Sequence, residues 1–389
     1  MENKKLKVGN VPPLRFPGFE EEWQTKRLGE IADKVNSGKT PLGGEAVYTK
    51  EGILFIRSQN VNNDRLELDN SVFIPESVNN QMKNSIVNPN DILLNITGAS
   101  LGRSCVVSND FKIGNVNQHV CIIRLSQQYN PRFIQPIFSS NKGQIIFNNL
   151  QTGSGREGLN FESIKGIKLF TPILDEQLKI ASFLSLIDER IQTQSKIIKQ
   201  LETLIKGLYQ KIFELNRFQF SILPLKSLCT IKKGEQINAS KLSETGIYYV
   251  MNGGILPSGY HSEYNSDAEI ISISEGGNSC GYVQYNHTKF WSGGHCYTLN
   301  NIDKIIKNKY LYYYLKANEN KIMALRVGSG LPNIQKSTLE KFEVKITNLY
   351  EQEKVVLALG SLSTKIAVES KLLEQYEIQK KHLLQNLFI

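Results

Sequence analysis

Side chains that can hydrogen-bond to the edges of DNA bases are concentrated in a few short segments. In the N-terminal half these segments are residues 57–62, 95–103 and 115–119. Arginine pairs bidentately with guanine, and asparagine or glutamine with adenine. The candidates for DNA contact in the whole chain are Lys39, Arg57, Ser58, Gln59, Asn60, Asn62, Asn95, Thr97, Arg103, Asn117, Gln118, His119, Asn252, Ser274, Asn278 and His295. Amide-rich segments are also common in ordinary turns, so composition alone leaves that alternative open.

No catalytic or metal-binding motif accompanies these segments. Residues 37–40 read Ser-Gly-Lys-Thr, like the end of a phosphate-binding loop, but Asp33 replaces the required first glycine and Pro41 follows where a helix should begin. The five cysteines are never spaced as CxxC, which argues against a disulfide framework and a structural zinc site. His119 and His295 have no evident nucleophile partner. We therefore expect no catalytic residues, no metal and no cofactor in this chain.

Composition and charge narrow the class of protein. The chain has 389 residues, with 46 Lys and Arg against 37 Asp and Glu, which gives a formal charge of +9. This charge favours a polyanionic partner, although proteins that bind no nucleic acid can carry it as well. With 40% hydrophobic and 21% charged residues, the composition is that of a globular protein of two or three domains. Because no apolar run approaches the roughly 18 residues of a membrane span, we expect a soluble, cytoplasmic protein without a membrane partner.

A tandem repeat organises the chain. Residues 153–213 align with residues 328–388 at a constant offset of 175 and without a gap, and the Glu-Gln pair at 176–177 recurs at 351–352. The looser upstream matches are 28–31 with 228–231, 91–98 with 269–276, and His119 with His295. Each repeat is a variable globular part of 130 to 150 residues followed by a regular segment of about 40. Such a duplication indicates one task carried out twice on different targets.

The regular segments have the apolar spacing of a coiled coil. In the first segment, positions that alternate in steps of four and three are nearly all apolar. They are Ile180, Leu184, Ile187, Ile191, Gln194, Ile198, Leu201, Ile205, Leu208 and Ile212. The equivalent seam of the second segment is Val355, Leu359, Leu362, Ile366, Glu369, Leu373, Tyr376, Lys380, Leu383 and Leu387. The polar position of the first seam, Gln194, falls on Glu369 of the second, and such residues commonly fix the register of a coiled coil. The alternative is that each helix packs separately on its own globular part.

The short connections favour an antiparallel pair of helices. The first helix is expected to end near Leu215, and the second globular part begins almost at once, at residues 218–228. In a parallel pair that part would have to span about 48 Å, the length of some 32 helical residues. An antiparallel pair needs no such span, and it would place the two globular parts at opposite ends of a rod.

The globular parts are expected to be α+β. Residues 91–97, 104–108 and 119–125 have strand-like patterns, and residues 131–150 have a helical pattern with a break at Pro136. The predicted division is an N-terminal segment, a first domain, a central helix, a second domain and a C-terminal helix. Their bounds are 1–22, 23–172, 173–216, 217–347 and 348–389. The fold class is therefore two α/β domains in tandem, each followed by a long helix.

Several segments together resemble a known family. They are the motif Pro-Leu-Arg-Phe-Pro-Gly-Phe at 13–19 followed by Trp23, Leu-Gly-Glu-Ile at 28–31, and the segments 52–60, 91–100, 114–119, 175–177 and 350–352. Over nearly its whole length the chain is similar to the specificity subunit of type I restriction-modification systems. The second unit departs from the first, because Ser-Glu-Gly-Gly at 274–277 stands where the first has Thr-Gly-Ala-Ser at 97–100.

The resemblance implies a non-catalytic subunit with two target recognition domains, each reading one half of an asymmetric bipartite site in double-stranded DNA. It implies that the repeated helices form an antiparallel coiled coil that separates the domains and docks the partner subunits. The implied partners are two adenine-specific methyltransferase subunits and, in the full complex, two restriction subunits. S-adenosylmethionine, ATP and Mg would belong to those partners. The alternative, from another class, is a stand-alone nucleic-acid-binding scaffold or tethering protein of the same architecture.

Overall fold

A computed structural model describes residues 9–62, 64–151, 158–214, 219–328, 330 and 332–389. The glycine-rich start of the first repeat, at 153–155, lies outside the described residues. The contacts divide the chain into two compact units, one comprising Met1–Thr193 with Leu372–Ile389 and the other Gln194–Lys371. The division passes through both repeated segments, because apolar side chains of each are buried in two different cores. The sequence-based domain bounds remain predictions.

The first unit is built from small sheets. Its strands are Gln24–Arg27 (β1), Ala32–Ser37 (β2), Ile53–Ile56 (β3), Val61–Asn62 (β4), Arg65–Leu66 (β5), Val72–Ile74 (β6), Ile86–Val87 (β7), Ile92–Asn95 (β8), Ser104–Val106 (β9), Gly114–Val116 (β10), Val120–Leu125 (β11) and Lys168–Thr171 (β12). One four-stranded sheet has the order β2-β11-β8-β9 and a second has the order β6-β3-β10-β7. The predicted strands at 91–97, 104–108 and 119–125 correspond to β8, β9 and β11. The ends of β8 and β11 carry many of the candidate residues.

Short helices and the first long helix complete this part of the chain. They are Leu28–Ile31 (α1), Glu76–Asn80 (α2), Pro131–Ser139 (α3), Asn141–Leu150 (α4), Phe161–Lys165 (α5) and Leu174–Phe213 (α6). The predicted break at Pro136 was wrong, because Pro136 lies inside α3 and the break falls at Ser140. Pro136 cannot donate a backbone hydrogen bond, yet α3 continues past it to Ser139. The Ser140 hydroxyl caps the next helix by accepting from the Gly143 N–H at 3.1 Å.

The second unit repeats this plan. Its strands are Ser221–Pro224 (β13), Thr230–Lys233 (β14), Tyr248–Met251 (β15), Tyr260–His261 (β16), Ile270–Ser274 (β17), Val283–Asn286 (β18), Trp291–Ser292 (β19), Cys296–Asn300 (β20) and Glu343–Ile346 (β21). Its helices are Asn308–Ala317 (α7), Glu319–Met323 (α8), Lys336–Leu339 (α9) and Leu349–Asn386 (α10). The order β14-β20-β17-β18 matches β2-β11-β8-β9 of the first unit, and the pair β13-β21 matches β1-β12.

Backbone hydrogen bonds correct one sequence match between the repeats. The Leu28 N–H donates to the Ile167 carbonyl at 2.9 Å, and the Leu225 N–H donates to the Phe342 carbonyl at 2.8 Å. Leu28 is therefore equivalent to Leu225, and the match of residues 28–31 with 228–231 was wrong by three positions. Leu225, Leu228 and Ile231 are spaced three residues apart, as Leu28 and Ile31 are, which is why the shifted match looked acceptable.

All twenty seam positions of α6 and α10 are buried or half-buried. In the first unit Ile180 and Leu184 share a core with Leu383 and Leu387. In the second unit Gln194 Nε2 donates to the Glu369 side chain at 2.5 Å and to its backbone carbonyl at 3.1 Å. The second core also joins Ile205, Leu208 and Ile212 to Val355, Leu359 and Leu362. Later positions of α6 thus meet earlier positions of α10, so the paired segments run antiparallel within each unit.

The lysine at a seam position has two acidic partners in the first unit. Lys380 Nζ lies 2.7 Å from Asp64 Oδ2 and 2.7 Å from Asp188 Oδ1. Burial lowers the pKa of the ammonium, but the two carboxylates outweigh this effect and raise the pKa above its usual value. Burial would likewise raise the pKa of Asp64, and Lys380 with two neutral hydrogen-bond donors instead lowers it. The ion pairs hold the turn between β4 and β5 against α10.

Among the described residues no helix is long and apolar enough to span a membrane.

Candidate nucleic-acid interface

Two buried asparagines organise the loop that follows β3. Asn60 Oδ1 accepts from the Arg57 N–H at 3.0 Å, and its Nδ2 donates to the Glu67 carbonyl at 2.9 Å. Asn95, at the end of β8, donates from Nδ2 to the Ser58 carbonyl at 2.8 Å. Both side chains thus hydrogen-bond to backbone groups of this loop. They shape the loop from beneath and fix its position against β8.

A chain of hydrogen bonds holds the first-unit histidine at the start of β11. Thr40 Oγ1 donates to Gln118 Oε1 at 2.6 Å, and Gln118 Nε2 lies 3.0 Å from His119 Nε2. His119 Nδ1 lies 2.6 Å from Thr97 Oγ1. Since the amide of Gln118 donates, His119 Nε2 is the acceptor and Nδ1 carries the proton. Thr40 was missed in the sequence because it lies far from the other residues of this group along the chain.

The basic candidates of the first unit differ in exposure. Arg103 is exposed, and its Nη1 donates to Asn62 Oδ1 at 3.1 Å. Arg57 is half-buried, donates from Nη2 to the Asn70 carbonyl at 3.2 Å and lies 5.9 Å from the ring centre of Tyr48. Arg103 can therefore reach a ligand without breaking a buried contact, whereas Arg57 is held by its own domain. The remaining exposed candidates of this unit are Lys39, Gln59 and Gln118, and the half-buried ones are Ser58, Thr97, Asn117 and His119.

The second unit presents its histidine on the same framework. The Glu275 N–H donates to the His295 carbonyl at 2.9 Å, as the Ile96 N–H donates to the His119 carbonyl at 3.0 Å. The left-handed glycines agree, because Gly98 has φ +71° and Gly277 has φ +76°. His119 therefore corresponds to His295, as the sequence indicated.

The same geometry corrects the match of the preceding strand by one residue. Asn90 and Glu269 both have positive φ, at 66° and 60°, so residue 90 rather than 91 is the counterpart of residue 269. It follows that Ile96 corresponds to Glu275, and Thr97 to Gly276. Residues 274–277, which the sequence comparison set against residues 97–100, are therefore the counterparts of residues 95–98. A buried carboxylate replaces a buried isoleucine at the strand end.

The side chains around His295 differ from those around His119. The side chain of His295 is exposed, and its backbone N–H donates to Asn252 Oδ1 at 3.2 Å. Glu275 is buried, and its Oε1 accepts from Lys233 Nζ at 2.6 Å and from the Tyr297 hydroxyl at 3.1 Å. Burial and the nearby carboxylate raise the pKa of Tyr297, so its hydroxyl remains a donor. Glu275 and Lys233 were not among the candidates, because a single glutamate and a surface lysine carry no recognisable signal in a sequence.

Three sequence-predicted candidates are not positioned to contact a ligand. Asn60, Asn95 and Ser274 are each at least 95% buried. The hydroxyl of Ser274 donates to the Gly253 carbonyl at 2.6 Å. These predictions are corrected, because each side chain is committed to the backbone of its own unit. Asn278 is exposed and Asn252 half-buried, and both stay candidates.

Thiol chemistry and metal binding have little support in the described residues. All five cysteines are buried and free, and burial raises the pKa of the Cys121 thiol to about 12 and of the Cys296 thiol to about 11. No cluster of three or more His, Cys, Asp or Glu in the described part of the chain could hold a metal ion. What the two units offer instead is a set of amide, hydroxyl, imidazole and guanidinium groups at equivalent strand ends.

The fold defines a duplicated two-domain protein in which each domain is followed by a long helix. The chain belongs to the family described as the type I restriction modification DNA specificity domain, whose model matches residues 20–203 and 219–377. The resemblance inferred from the sequence motifs is therefore confirmed.

The relatives agree in class. A protein of Mycoplasma genitalium named as a type I specificity subunit is 32% identical over 170 residues, which cover 41% of this chain and 44% of that protein. A Mycoplasma pneumoniae protein named in the same way is 34% identical over 161 residues, covering 39% of this chain and 43% of that protein. The matches thus span less than half the length of these two relatives. The type I restriction enzyme MjaVIII specificity subunit of Methanocaldococcus jannaschii is 25% identical over 433 residues, covering 95% and 92%.

A solved structure has the same fold. The crystal structure of the S subunit of a type I restriction-modification system from M. genitalium superposes with a TM-score of 0.70 at 19% identity, covering 97% of this chain and 99% of that one. At this identity the likeness concerns the fold. It confirms the expected class of two α/β domains in tandem, each followed by a long helix.

Proposed function

We propose that this chain is the DNA-specificity subunit of a type I restriction-modification complex. Each unit reads one half of an asymmetric bipartite site in double-stranded DNA, and the chain itself has no catalytic activity. The observation that supports this most directly is that His119 and His295 lie at equivalent strand ends but have different partners. One scaffold with two sets of exposed groups suits two different half-sites. Its place of action would be the cytoplasm, where chromosomal DNA is accessible.

We propose further that α6 and α10 pair as a coiled coil and dock the partner subunits. Both helices carry large apolar side chains that are exposed on the chain itself and lie outside the seam. They include Leu178, Leu186, Leu204, Leu357, Val368 and Ile378. When a partner protein covers exposed apolar area of this kind, the burial stabilises the complex. Two methyltransferase subunits, matched to the repeated helices, would bind S-adenosylmethionine and methylate adenine, and two restriction subunits would bind ATP and Mg.

Genome-wide mapping of methylated adenine tests this function. Cells that carry the gene together with its methyltransferase gene are compared with cells in which only this gene is deleted. We expect one asymmetric motif, made of two short specified halves and an unspecified gap, to lose its methylation on deletion. Unchanged methylation would refute the proposal. If the purified chain instead binds DNA fully without a methyltransferase and no motif depends on it, the stand-alone scaffold becomes the better description.

A further inference from the structure

The second unit contains a buried carboxylate oxygen without a hydrogen-bond partner. Glu275 Oε2 is completely buried and accepts no hydrogen bond, whereas Oε1 has Lys233 and Tyr297. His295 Nδ1 lies 3.8 Å from Oε2. A buried carboxylate oxygen with no donor is costly. A small rotation of the histidine ring would bring Nδ1–H into hydrogen-bond range and remove that cost.

His295 lacks the neighbours that occupy the ring of His119. The residues equivalent to Thr97 and Gln118 are Gly276 and Gly294, which have no side chains. The side chain of His295 remains 60% exposed. In the first unit an amide contacts Nε2 of the histidine, whereas in the second unit the equivalent position has no side chain. The two units therefore present different chemical groups at the same strand end.

We propose that His295 is a base-specificity determinant of the second half-site and that Glu275 is the positioning residue that fixes its ring. The proposal rests on the proposed DNA-reading function. With Nδ1–H donated to Glu275 Oε2, the outer nitrogen Nε2 is a hydrogen-bond acceptor. In the major groove the donors available to an acceptor are the amino groups of adenine N6 and cytosine N4. The base read by His295 is therefore an adenine or a cytosine.

Because Lys233 balances the charge of Glu275, the imidazole of His295 can be neutral in this arrangement. The Lys233 ammonium lies 2.6 Å from Glu275 Oε1 and balances the carboxylate charge. The Tyr297 hydroxyl donates to the same oxygen. Glu275 thus has a counterion already, and it needs from His295 only a neutral N–H donor. In the first unit the counterpart of Glu275 is Ile96, which can fix no ring, and Gln118 takes the outer position instead.

Base-pair substitution in the target measures this role. The complex of the chain with its methyltransferase is assayed for methyl transfer on duplexes in which each base pair of both half-sites is changed in turn. A wrong base pair typically lowers specific recognition by about 5-fold to 150-fold. For His295→Ala we expect this discrimination to fall to about twofold at one base pair of the second half and to stay unchanged elsewhere.

Variants of the positioning residue separate orientation from contact. Glu275→Ile, which installs the residue of the first unit, should weaken discrimination at that same base pair. Glu275→Gln should weaken it as well, because the amide oxygen stays with Lys233 and Tyr297 and the amide NH2 then faces Nδ1, which leaves Nε2 as the donor. His287→Ala, at another exposed histidine of the second unit, is the matched control and should change nothing.

The outcomes are distinguishable from failure of the proposed function. If the wild-type complex shows no sequence-dependent methylation, the proposed function fails. If the wild type reads a bipartite site but His295→Ala keeps full discrimination at every position, this inference is overturned, as it is if the lost discrimination falls in the first half-site. Should Glu275→Ile prevent folding, the exposed His295→Ala and the conservative Glu275→Gln still decide the question.

Discussion

The glutamines of the repeated Glu-Gln motif should be essential for attaching each long helix to the unit that precedes it. Gln177 and Gln352 are 1% and 0% exposed in the first turn of their helices. Gln177 Oε1 accepts from the Asn130 N–H at 2.9 Å, and its Nε2 donates to the Pro172 carbonyl at 2.9 Å. Truncation to alanine removes both bonds and leaves buried backbone groups without partners.

Gln352 makes the same type of attachment with one more bond. Its Oε1 accepts from the Lys307 N–H at 2.7 Å, and its Nε2 donates to the carbonyls of Ile305 at 2.9 Å and Thr347 at 2.7 Å. At about 1 kcal/mol for each bond, Gln177→Ala should cost about 2 kcal/mol and Gln352→Ala about 3 kcal/mol. For units of this size that lowers the midpoint of thermal unfolding by about 4–8 °C and about 6–12 °C.

Thermal unfolding of the full chain, followed with hydrogen exchange of peptides from each unit, measures these losses and locates them. Exchange should increase at the start of α6 in Gln177→Ala and at the start of α10 in Gln352→Ala. The controls are Gln200→Ala and Gln375→Ala, at exposed positions of the same helices. If the buried variants unfold within about 1 °C of their controls, the hydrogen bonds do not attach the helices as described and the reasoning is refuted.

Three further outcomes follow from the helices and the first unit. In a urea titration, Lys380→Met should lower the free energy of unfolding of the first unit by about 2 kcal/mol, because two half-buried carboxylates lose their ammonium partner. Lys381→Met, at an exposed position, is the control and should leave that free energy unchanged. Ile198→Asp combined with Leu373→Asp should abolish folding or assembly with the methyltransferase, and normal co-purification would contradict the seam. If Arg103 reads a base, Arg103→Ala should cost about 1–3 kcal/mol of binding free energy and relax specificity at one position of the site. If Arg103 contacts phosphate, the variant should bind all sequences more weakly and with a smaller dependence on salt, which DNA titrations at several salt concentrations would show.

The helical seams could be predicted because periodicity is a local property. A step of three and four residues places one side of a helix against a partner whatever the rest of the chain does. The offset of the repeat made Glu369 the equivalent of Gln194, but the hydrogen bond between the two side chains is known only from the structure. By contrast, Lys380 interrupts the second seam, and its partner Asp64 lies 316 residues away. No pattern along the sequence announces a contact of that kind.

The strand ends were harder to align because neighbouring glycines look alike in a sequence. Matching Gly98 with Gly276 gave a reasonable set of apolar pairs, whereas the backbone requires Gly277, the residue with positive φ. Because of the one-residue shift, Glu275 was matched with the half-buried Thr97 rather than with the buried Ile96. A shift of one residue in a strand exchanges its two faces, so a sequence match that is nearly right can assign the wrong environment.

Residue type also says little about whether an amide faces a ligand or the backbone. Asn60 and Asn62 are close in sequence and identical in type, yet Asn60 is buried beneath its loop and Asn62 contacts the exposed Arg103. An asparagine can satisfy two backbone groups at once, so loops with irregular backbones recruit it for support. The segment that carries a candidate site was visible in the sequence, but its division into supporting and exposed residues required the three-dimensional contacts.

The difference in length between the two units falls where their candidate contacts lie. The Asn117 N–H donates to the Ile56 carbonyl, and the Gly293 N–H to the Met251 carbonyl, so β3 and β15 end at equivalent positions. From there to the equivalent residues before β8 and β17, the first unit uses residues 57–89 and the second only residues 252–268. The surrounding strands keep their pairing in both units. The framework strands are thus common to both units while the segment beside the exposed groups differs, which suits the proposed reading of two different half-sites.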